Sequence, residues 1–305
     1  MALLSVSENA TYMLRDANDE RFVIRVSRPG YVSGASSIES EMLWVQELDQ
    51  CSGIKVIQPV PKRDGSLVAT VADDSHHVWF CVCTRWIQGE ILDIDRQPLN
   101  SFFALGSISA QLHEYARSWK PPEWFQRFSW DIPDMIGPRA RWGDWSCWPM
   151  NSATAQLLAL AQRHALDILA EYPRSRDRWG LIHADLRLSN VMYTDDSYTV
   201  IDFDDCGYGW FMFDFASSLS MLEHTKDATR LAREWLKGYE SVRHLDSDDI
   251  AAATALSMLR RLQILGWSQT RGTQALPTEF VTTQLSGTVE VAKKYLNDPL
   301  WIVHR

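Results

Sequence analysis

The run His183-Ala184-Asp185-Leu186-Arg187-Leu188-Ser189-Asn190 is followed by Ile201-Asp202-Phe203-Asp204, which gives H-x-D-x-x-x-x-N and then an Asp 12 residues after the Asn. Two strand-like runs, Val191-Met192-Tyr193 and Tyr198-Thr199-Val200-Ile201, flank the polar turn Thr194-Asp195-Asp196-Ser197. A hairpin over this stretch would set Asn190 and Asp202 side by side. Two side-chain oxygens facing one point suit Mg2+, a hard cation that takes a few protein oxygens and leaves its other positions to phosphate and water. Asp185, one loop earlier, can face the same point, orient a hydroxyl and take its proton. One acceptor-orienting carboxylate and two metal ligands are parts of phosphoryl transfer, which also needs positive charge from elsewhere. His183 reads as a hydrogen-bonding brace for the loop. Asp204 and Asp205 read as loop hydrogen-bonders, and Asp214 as a cap or loop brace.

The positive charge is expected from the N-terminal region. Phe22-Val23-Ile24-Arg25-Val26 is a β-branched, apolar run preceded by the turn signal Asn18-Asp19-Glu20. Its form is that of the strand motif V-A-I-K, with Arg25 in the Lys place. A helix to about Gln50, capped by Ser36 or Ser37, carries Ile38, Met42, Val45 and Leu48 on one face. It offers Glu41, and second Glu39, as the acid that would hold Arg25. A hairpin about Arg63-Asp64-Gly65-Ser66 is expected to join strands at 55–62 and 67–72, and His77–Trp86 reads as another strand.

Beyond Gly89-Glu90 the pattern becomes helical, at 98–119, 153–171, 215–244, 247–268 and 277–297. Between the first two lies an irregular, proline-rich stretch, 119–150, too long for an ordinary connection. It holds Trp119, Trp124, Trp130, Trp142, Trp145 and Trp148 of the chain's 14 tryptophans. They read either as packing for this stretch or, in part, as the flat walls of an acceptor pocket beside Arg139, Arg141 and Asp144. The expected fold class is α+β and bilobal: a small β-rich lobe over 1–85 and a larger, mainly helical lobe over 86–305. The hinge is placed near Thr84-Arg85-Trp86-Ile87, where the backbone at Thr84 and Trp86 would meet an adenine.

These residues together resemble the aminoglycoside phosphotransferase and choline kinase-like superfamily, which shares the bilobal protein-kinase fold. The resemblance runs from about Ser5 to at least Ser220. Ser7-Glu8-Asn9-Ala10-Thr11-Tyr12, Ile201-Asp202-Phe203-Asp204-Asp205-Cys206-Gly207 and the Arg-Trp-Gly-Asp-Trp run at 141–145 are similar to the subgroup of homoserine kinase type II and the bacterial stress-response Ser/Thr kinase. The resemblance implies ATP and Mg2+, with transfer of the γ-phosphate to a hydroxyl. It places the catalytic role on Asp185 and the metal on Asn190 and Asp202. Nucleotide contacts fall on Arg25, Glu41, Ser7 and Asn9, and Arg187 stands where it could touch the transferring phosphate. Two departures stand out. Arg25 replaces the usual Lys, and Asp204 replaces the Gly of D-F-G, which argues against protein-kinase-style switching of that loop. The expected acceptor is a small hydroxyl compound such as an aminoglycoside, amino alcohol or amino acid. A stress-response-type protein kinase and a non-catalytic nucleotide-binding module are the alternatives.

With 46% hydrophobic and 23% charged residues the chain has the composition of a folded globular protein. A net charge of −9 argues against nucleic-acid binding, which needs a basic footprint, and tilts toward a cationic acceptor. No stretch reaches the roughly 18–20 apolar residues of a membrane span, and the N-terminus has no basic leader. The five cysteines form no C-x-x-C pair, and Cys81 and Cys83 are expected as small core residues. A cytoplasmic protein with reduced thiols is expected; nothing in the sequence fixes the oligomeric state.

Overall fold

The computed structural model describes residues 1–6, 9–28, 34–50, 53–94, 98–194, 197–275 and 278–304. The chain divides into two compact units. One comprises Met1–Leu92, Trp119–Arg127 and Asn190–Asp204; the other comprises Asp93–Ser118, Phe128–Ser189 and Asp205–Arg305. A single cut after residue 85 thus differs from the observed division. The first unit extends to Leu92 and takes in two later segments.

The first unit holds two sheets and a helix. An antiparallel sheet is formed by β1 (Ala2–Val6), β2 (Asn9–Arg15), β3 (Arg21–Ser27), β5 (Val68–Ala72) and β6 (Val78–Arg85), in the order β1-β2-β3-β6-β5. The β2–β3 turn is tight because Asp16 Oδ1 accepts from the amides of Asn18 and Glu20, while Asp19 takes a left-handed φ of 66°. Along β6, Val82 and Thr84 are buried while Cys81 and Cys83 alternate to the other face and are only half-buried. The cysteines are therefore not core residues, although burial still pushes both thiols up.

The second sheet joins distant parts of the sequence. β4 (Lys55–Val56), β7 (Glu90–Ile91), β9 (Val191–Thr194) and β10 (Ser197–Val200) pair in the order β4-β10-β9-β7. The expected hairpin between 55–62 and 67–72 is absent. β4 runs parallel to β10 instead, and the Arg63–Gly65 turn is closed by the Lys62 amide on the Ser66 carbonyl and by Asp64 Oδ1, which accepts from Ser66. Pro59 and Pro61 explain this, since neither can donate to a ladder.

Helix α1 (Ala35–Asp49) buries Ile38, Glu41, Met42, Val45 and Leu48 as one stripe. Its N-cap is Gly34, at φ 144°, with no side-chain capping bond. Ser36 and Ser37 lie inside the helix, so the capping role expected of them is not filled. With Ser40 they serve the segment at 119–127. Ser36 Oγ donates to Gln126 Oε1, the Gln126 amide donates to Ser40 Oγ, and the Arg127 guanidinium donates to Ser37. Trp119 packs on Trp44 with ring centroids 5.0 Å apart.

The second unit is helical. Its helices are α2 (Pro98–Ser118), α3 (Ile132–Met135), α4 (Ser152–Glu171), α5 (Phe213–Ser218), α6 (Ala228–Glu240), α7 (Ser247–Ala275) and α8 (Thr278–Asn297). A two-stranded ribbon, β8 (Trp179–Ile182) against β11 (Gly207–Trp210), completes it. α2 and α6 cross on two glycines. A Cβ on Gly106 would lie 1.9 Å from the Trp235 carbonyl oxygen, and one on Gly238 would lie 1.9 Å from that of Phe103. The single helix expected over 215–244 is two. The chain breaks between α5 and α6, where Met221 takes φ 71°. The hydroxyls of Ser217 and Ser218 there bond to the residue 186 backbone instead of solvent.

Candidate active site

In the first unit, strand pairing builds a cluster of charge. Arg25 sits in mid-sheet on β3, opposite Thr11 and Val82. Its Nη1 and Nη2 donate to the two carboxylate oxygens of Glu41 at 2.7 and 2.8 Å, the fork geometry that only arginine offers. Glu41 rather than Glu39 makes this pair because Glu41 lies on the Ile38–Met42–Val45 stripe of α1. Burial alone would lower the Arg25 pKa, but Glu41, with Asp204 and Asp202 nearby, outweighs it and holds the guanidinium above its usual range.

A second arginine joins the cluster. The fully buried Arg127 side chain donates to the Asp204 carbonyl oxygen at 2.5 Å and lies 3.9 Å from Glu41. Asn9, at the start of β2, donates from Nδ2 to Asp204 Oδ2 at 2.8 Å. The β9–β10 hairpin pairs Val191 with Val200, and the Ile201 amide donates to the Asn190 carbonyl at 3.0 Å. That register brings Asn190 and Asp202 to the same end of the hairpin. Asp202 holds a left-handed φ of 64°, a conformation that costs energy in a non-glycine residue and concentrates at functional sites. Two buried polar atoms here, Asn9 Oδ1 and Arg25 Nε, have no hydrogen-bond partner.

Thr84 is buried on β6 opposite Val23, and the Trp86 amide donates to the Arg21 carbonyl at 3.2 Å. Ser7 lies outside the described residues.

Asp185 and Arg187 belong to the second unit, in the loop that follows β8. The loop is braced from behind. Asp214, completely buried, accepts from the amides of Ala184 at 2.7 Å and His183 at 3.2 Å. His113 Nε2 lies 3.0 Å from Asp214 Oδ2, and its Nδ1 lies 3.0 Å from the Tyr239 hydroxyl. Burial pulls the His113 pKa down, with Asp214 opposing. A neutral imidazole donating from Nε2 to the carboxylate and accepting at Nδ1 satisfies all three groups. Ala184 takes φ 66°, and the Asp185 amide points at His183 Nδ1 at 3.4 Å.

Each oxygen of Asp185 meets an arginine. Arg187 Nε donates to Oδ2 at 3.1 Å, and Arg260 Nη2 donates to Oδ1 at 2.7 Å. Arg260 lies on α7 beneath Trp142, its guanidinium carbon 4.3 Å from that ring. Trp142 in turn meets Trp130 edge-on, and Trp130 stacks on Phe213. Trp130 Nε1 donates to the Asp205 carbonyl, and Trp145 Nε1 to Gln162.

Spacing gave no sign of Arg127, Arg260 or His113, which reach their partners from 86, 75 and 101 residues away. One signal was present for Arg260. The pair Arg260-Arg261 interrupts an otherwise apolar helical stretch, and a charge on a buried face requires a partner.

The model of the phosphotransferase enzyme family (APH) matches residues 2–251, and the chain belongs to that family. Over 98% of its length the chain is similar to the solved microcompartment-associated aminopropanol kinase, at 37% identity and a TM-score of 0.86, covering 92% of that structure. An amicoumacin kinase solved with AMP-PNP and Ca2+ shares the fold at 23% identity and a TM-score of 0.78, over 96% of this chain and 88% of that one. The amicoumacin kinase of Bacillus subtilis (strain 168) is 28% identical over 178 residues, which are 58% of this chain. That match spans 50% of the Bacillus kinase, so the chain covers about half the length of this curated relative.

Proposed function

We propose that this member of the phosphotransferase enzyme family transfers the γ-phosphate of ATP to the hydroxyl of a small molecule. The acceptor we favour is an amino alcohol of the aminopropanol type. The observation that carries the reading is the bidentate Arg25–Glu41 pair, set in the same unit as Asn190, Asp202 and Asp204. The acceptor class rests on the 37% identity to the aminopropanol kinase over nearly the whole chain.

The residues fit a nucleotide with Mg2+. Asn190 and Asp202 supply two hard oxygen ligands, the number Mg2+ takes when phosphates complete its shell. Arg25 Nε is a buried donor left over after Glu41 has taken the other two nitrogens, which suits it to a phosphate oxygen. Bound Mg2+ would neutralise charge developing on the phosphate oxygens. Glu41 fixes the Arg25 fork, Arg127 neutralises the far side of Glu41, and Asn9 tethers Asp204. Asp185 orients the acceptor hydroxyl and takes its proton. Arg187, more than a third exposed and paired with Asp185 Oδ2, would touch the transferring phosphate. Thr84 and Trp86 lie at the adenine end. No described helix is long and apolar enough to cross a membrane. The four described cysteines are free thiols, which fits a cytoplasmic setting.

The test is ADP release from Mg-ATP with 1-amino-2-propanol, ethanolamine, choline, homoserine, aminoglycosides and casein as acceptors, with Asp185→Ala alongside. Release stimulated by an amino alcohol and abolished in the variant is expected. Stimulation by casein alone would overturn the small-molecule reading.

A further inference from the structure

We infer that Arg260 is the positioning residue of Asp185, locking its carboxylate in the orientation that meets the acceptor hydroxyl. This rests on the acceptor role proposed above for Asp185. The two arginines on Asp185 differ in kind. The Arg187 side chain is 39% exposed and grips Oδ2 at 3.1 Å from two residues away. Arg260 is wholly buried and grips Oδ1 at 2.7 Å.

Every part of the Arg260 guanidinium is held. Nε donates to Ser220 Oγ at 3.0 Å, Nη1 to Gln263 Oε1 at 3.0 Å and Nη2 to Asp185. Its face lies against Trp142 and, at 5.5 Å, Phe213. Burial pulls its pKa down, and Asp185, Asp205 and Glu223 oppose that pull. Arginine remains charged in such a setting where lysine would shift readily. An ion buried at this cost, and fastened on three sides, presents one remaining bond in a fixed direction. That bond ends on the catalytic carboxylate. Orientation of a catalytic group within a fraction of an ångström is worth orders of magnitude in rate.

A merely structural arginine and a positioning one differ in how their loss combines with loss of Asp185. Residues that act as one unit are strongly non-additive. The experiment is a double-mutant cycle of Arg260→Gln and Asp185→Asn in the full chain. The readouts are turnover of Mg-ATP with 1-amino-2-propanol, ATP hydrolysis by water, KM for Mg-ATP and melting temperature. Arg260→Gln is expected to lower kcat by about 10- to 100-fold, as loss of a charged hydrogen bond implies, with KM for Mg-ATP within about twofold. In the Asp185→Asn background the same change is expected to cost less than about twofold. Arg260→Lys, which keeps a donor but not the fork or the secure charge, should recover part of the rate and carries the cycle if Arg260→Gln does not fold.

Equal losses in both backgrounds, or no loss with Asp185 intact, would overturn the inference while leaving the proposed function standing. An Asp185→Asn variant with full turnover would sink both. A crystal structure of Arg260→Gln in which the Asp185 side chain has not moved would also overturn it, whatever the turnover.

Discussion

Glu41→Gln tests the charge cluster of the first unit in isolation. The side chain of Glu41 is 2% exposed and that of Arg25 11%, while Arg127 is wholly buried. The substitution keeps the shape and one acceptor oxygen but removes the negative charge that two buried guanidiniums share. Breaking a buried ion pair by neutralising one partner costs about 3–5 kcal/mol, because an uncompensated charge stays behind. The amide oxygen still accepts from one Arg25 nitrogen, and Asp202 and Asp204 still draw on Arg25. These put the expected loss near the lower end, about 3 kcal/mol. The first unit has a little over 100 residues, for which a kcal/mol shifts melting by about 4 °C, so melting should fall by roughly 12 °C. Arg25 would also lose the second arm of its fork, so nucleotide affinity should weaken by about tenfold, one charged hydrogen bond's worth. The control is Glu39→Gln, two residues away and off the buried stripe, which should move melting by no more than about 0.5 kcal/mol in equivalent. Differential scanning calorimetry and ATP titration of both variants give the answer. Equal, small shifts in the two variants would refute the claim that the Arg25–Glu41 pair is a buried, charge-coupled clamp.

Asp185→Asn should reduce acceptor-stimulated turnover by about 10²–10⁴-fold, the span of a lost general base, while nucleotide binding measured by titration stays within about twofold. Gly238→Ala places a methyl 1.9 Å from the Phe103 carbonyl oxygen. It should destabilise the second unit by about 1–3 kcal/mol or more, read in denaturant melts, whereas Gly65→Ala, with open space around it but a strained φ of 86°, should cost less. Acid should weaken the fold through His113. Burial holds its native pKa below the ordinary value, so the unfolded chain takes up the proton first as pH falls below about 6.5. Stability then drops by up to about 1.4 kcal/mol per pH unit until the native pKa is reached. His224 is lowered too and acts with the same sign. His113→Gln should make the pH 6.5-to-5 slope of melting temperature shallower, and an unchanged slope would remove His113 from the account.

Much of this architecture was legible because it is local. The Phe22–Val26 run, the Ile38–Leu48 stripe and the Val191–Ile201 hairpin are each specified by residues within a dozen positions. Together they place Arg25, Glu41, Asn190 and Asp202. What was not legible is non-local. β4 pairs with β10 across more than 140 residues, and nothing in Lys55-Val56 announces that partner. The serines at 36 and 37 read as caps by type, yet tertiary contacts with 126–127 claimed their hydroxyls, as they did that of Ser40. The expected helix over 215–244 has good periodicity throughout. It breaks just past Ser217 and Ser218, whose hydroxyls bond to the Leu186 backbone, a contact with a loop 31 residues earlier that periodicity cannot show. The tryptophans at 130 and 142 make the packing contacts of the first reading given for them. They pack the irregular stretch onto Phe213, and Trp142 also covers the face of Arg260, which touches Asp185.

The segment at 202–205 brings these strands of argument together. In a chain with Gly after D-F, the backbone there is free to invert, and switching is built on that freedom. Here the position is Asp204, and both its ends are fastened. The side chain accepts from Asn9 and the carbonyl accepts from the buried Arg127. Phe203 beside it is completely buried. Inverting this segment would strand the Arg127 guanidinium, the Asn9 amide and an apolar ring at once, each at about 1–3 kcal/mol or more. A sum of that size holds Asp202 in its left-handed conformation continuously. The segment is thus fastened at the side chain and carbonyl of Asp204 and at the buried ring of Phe203.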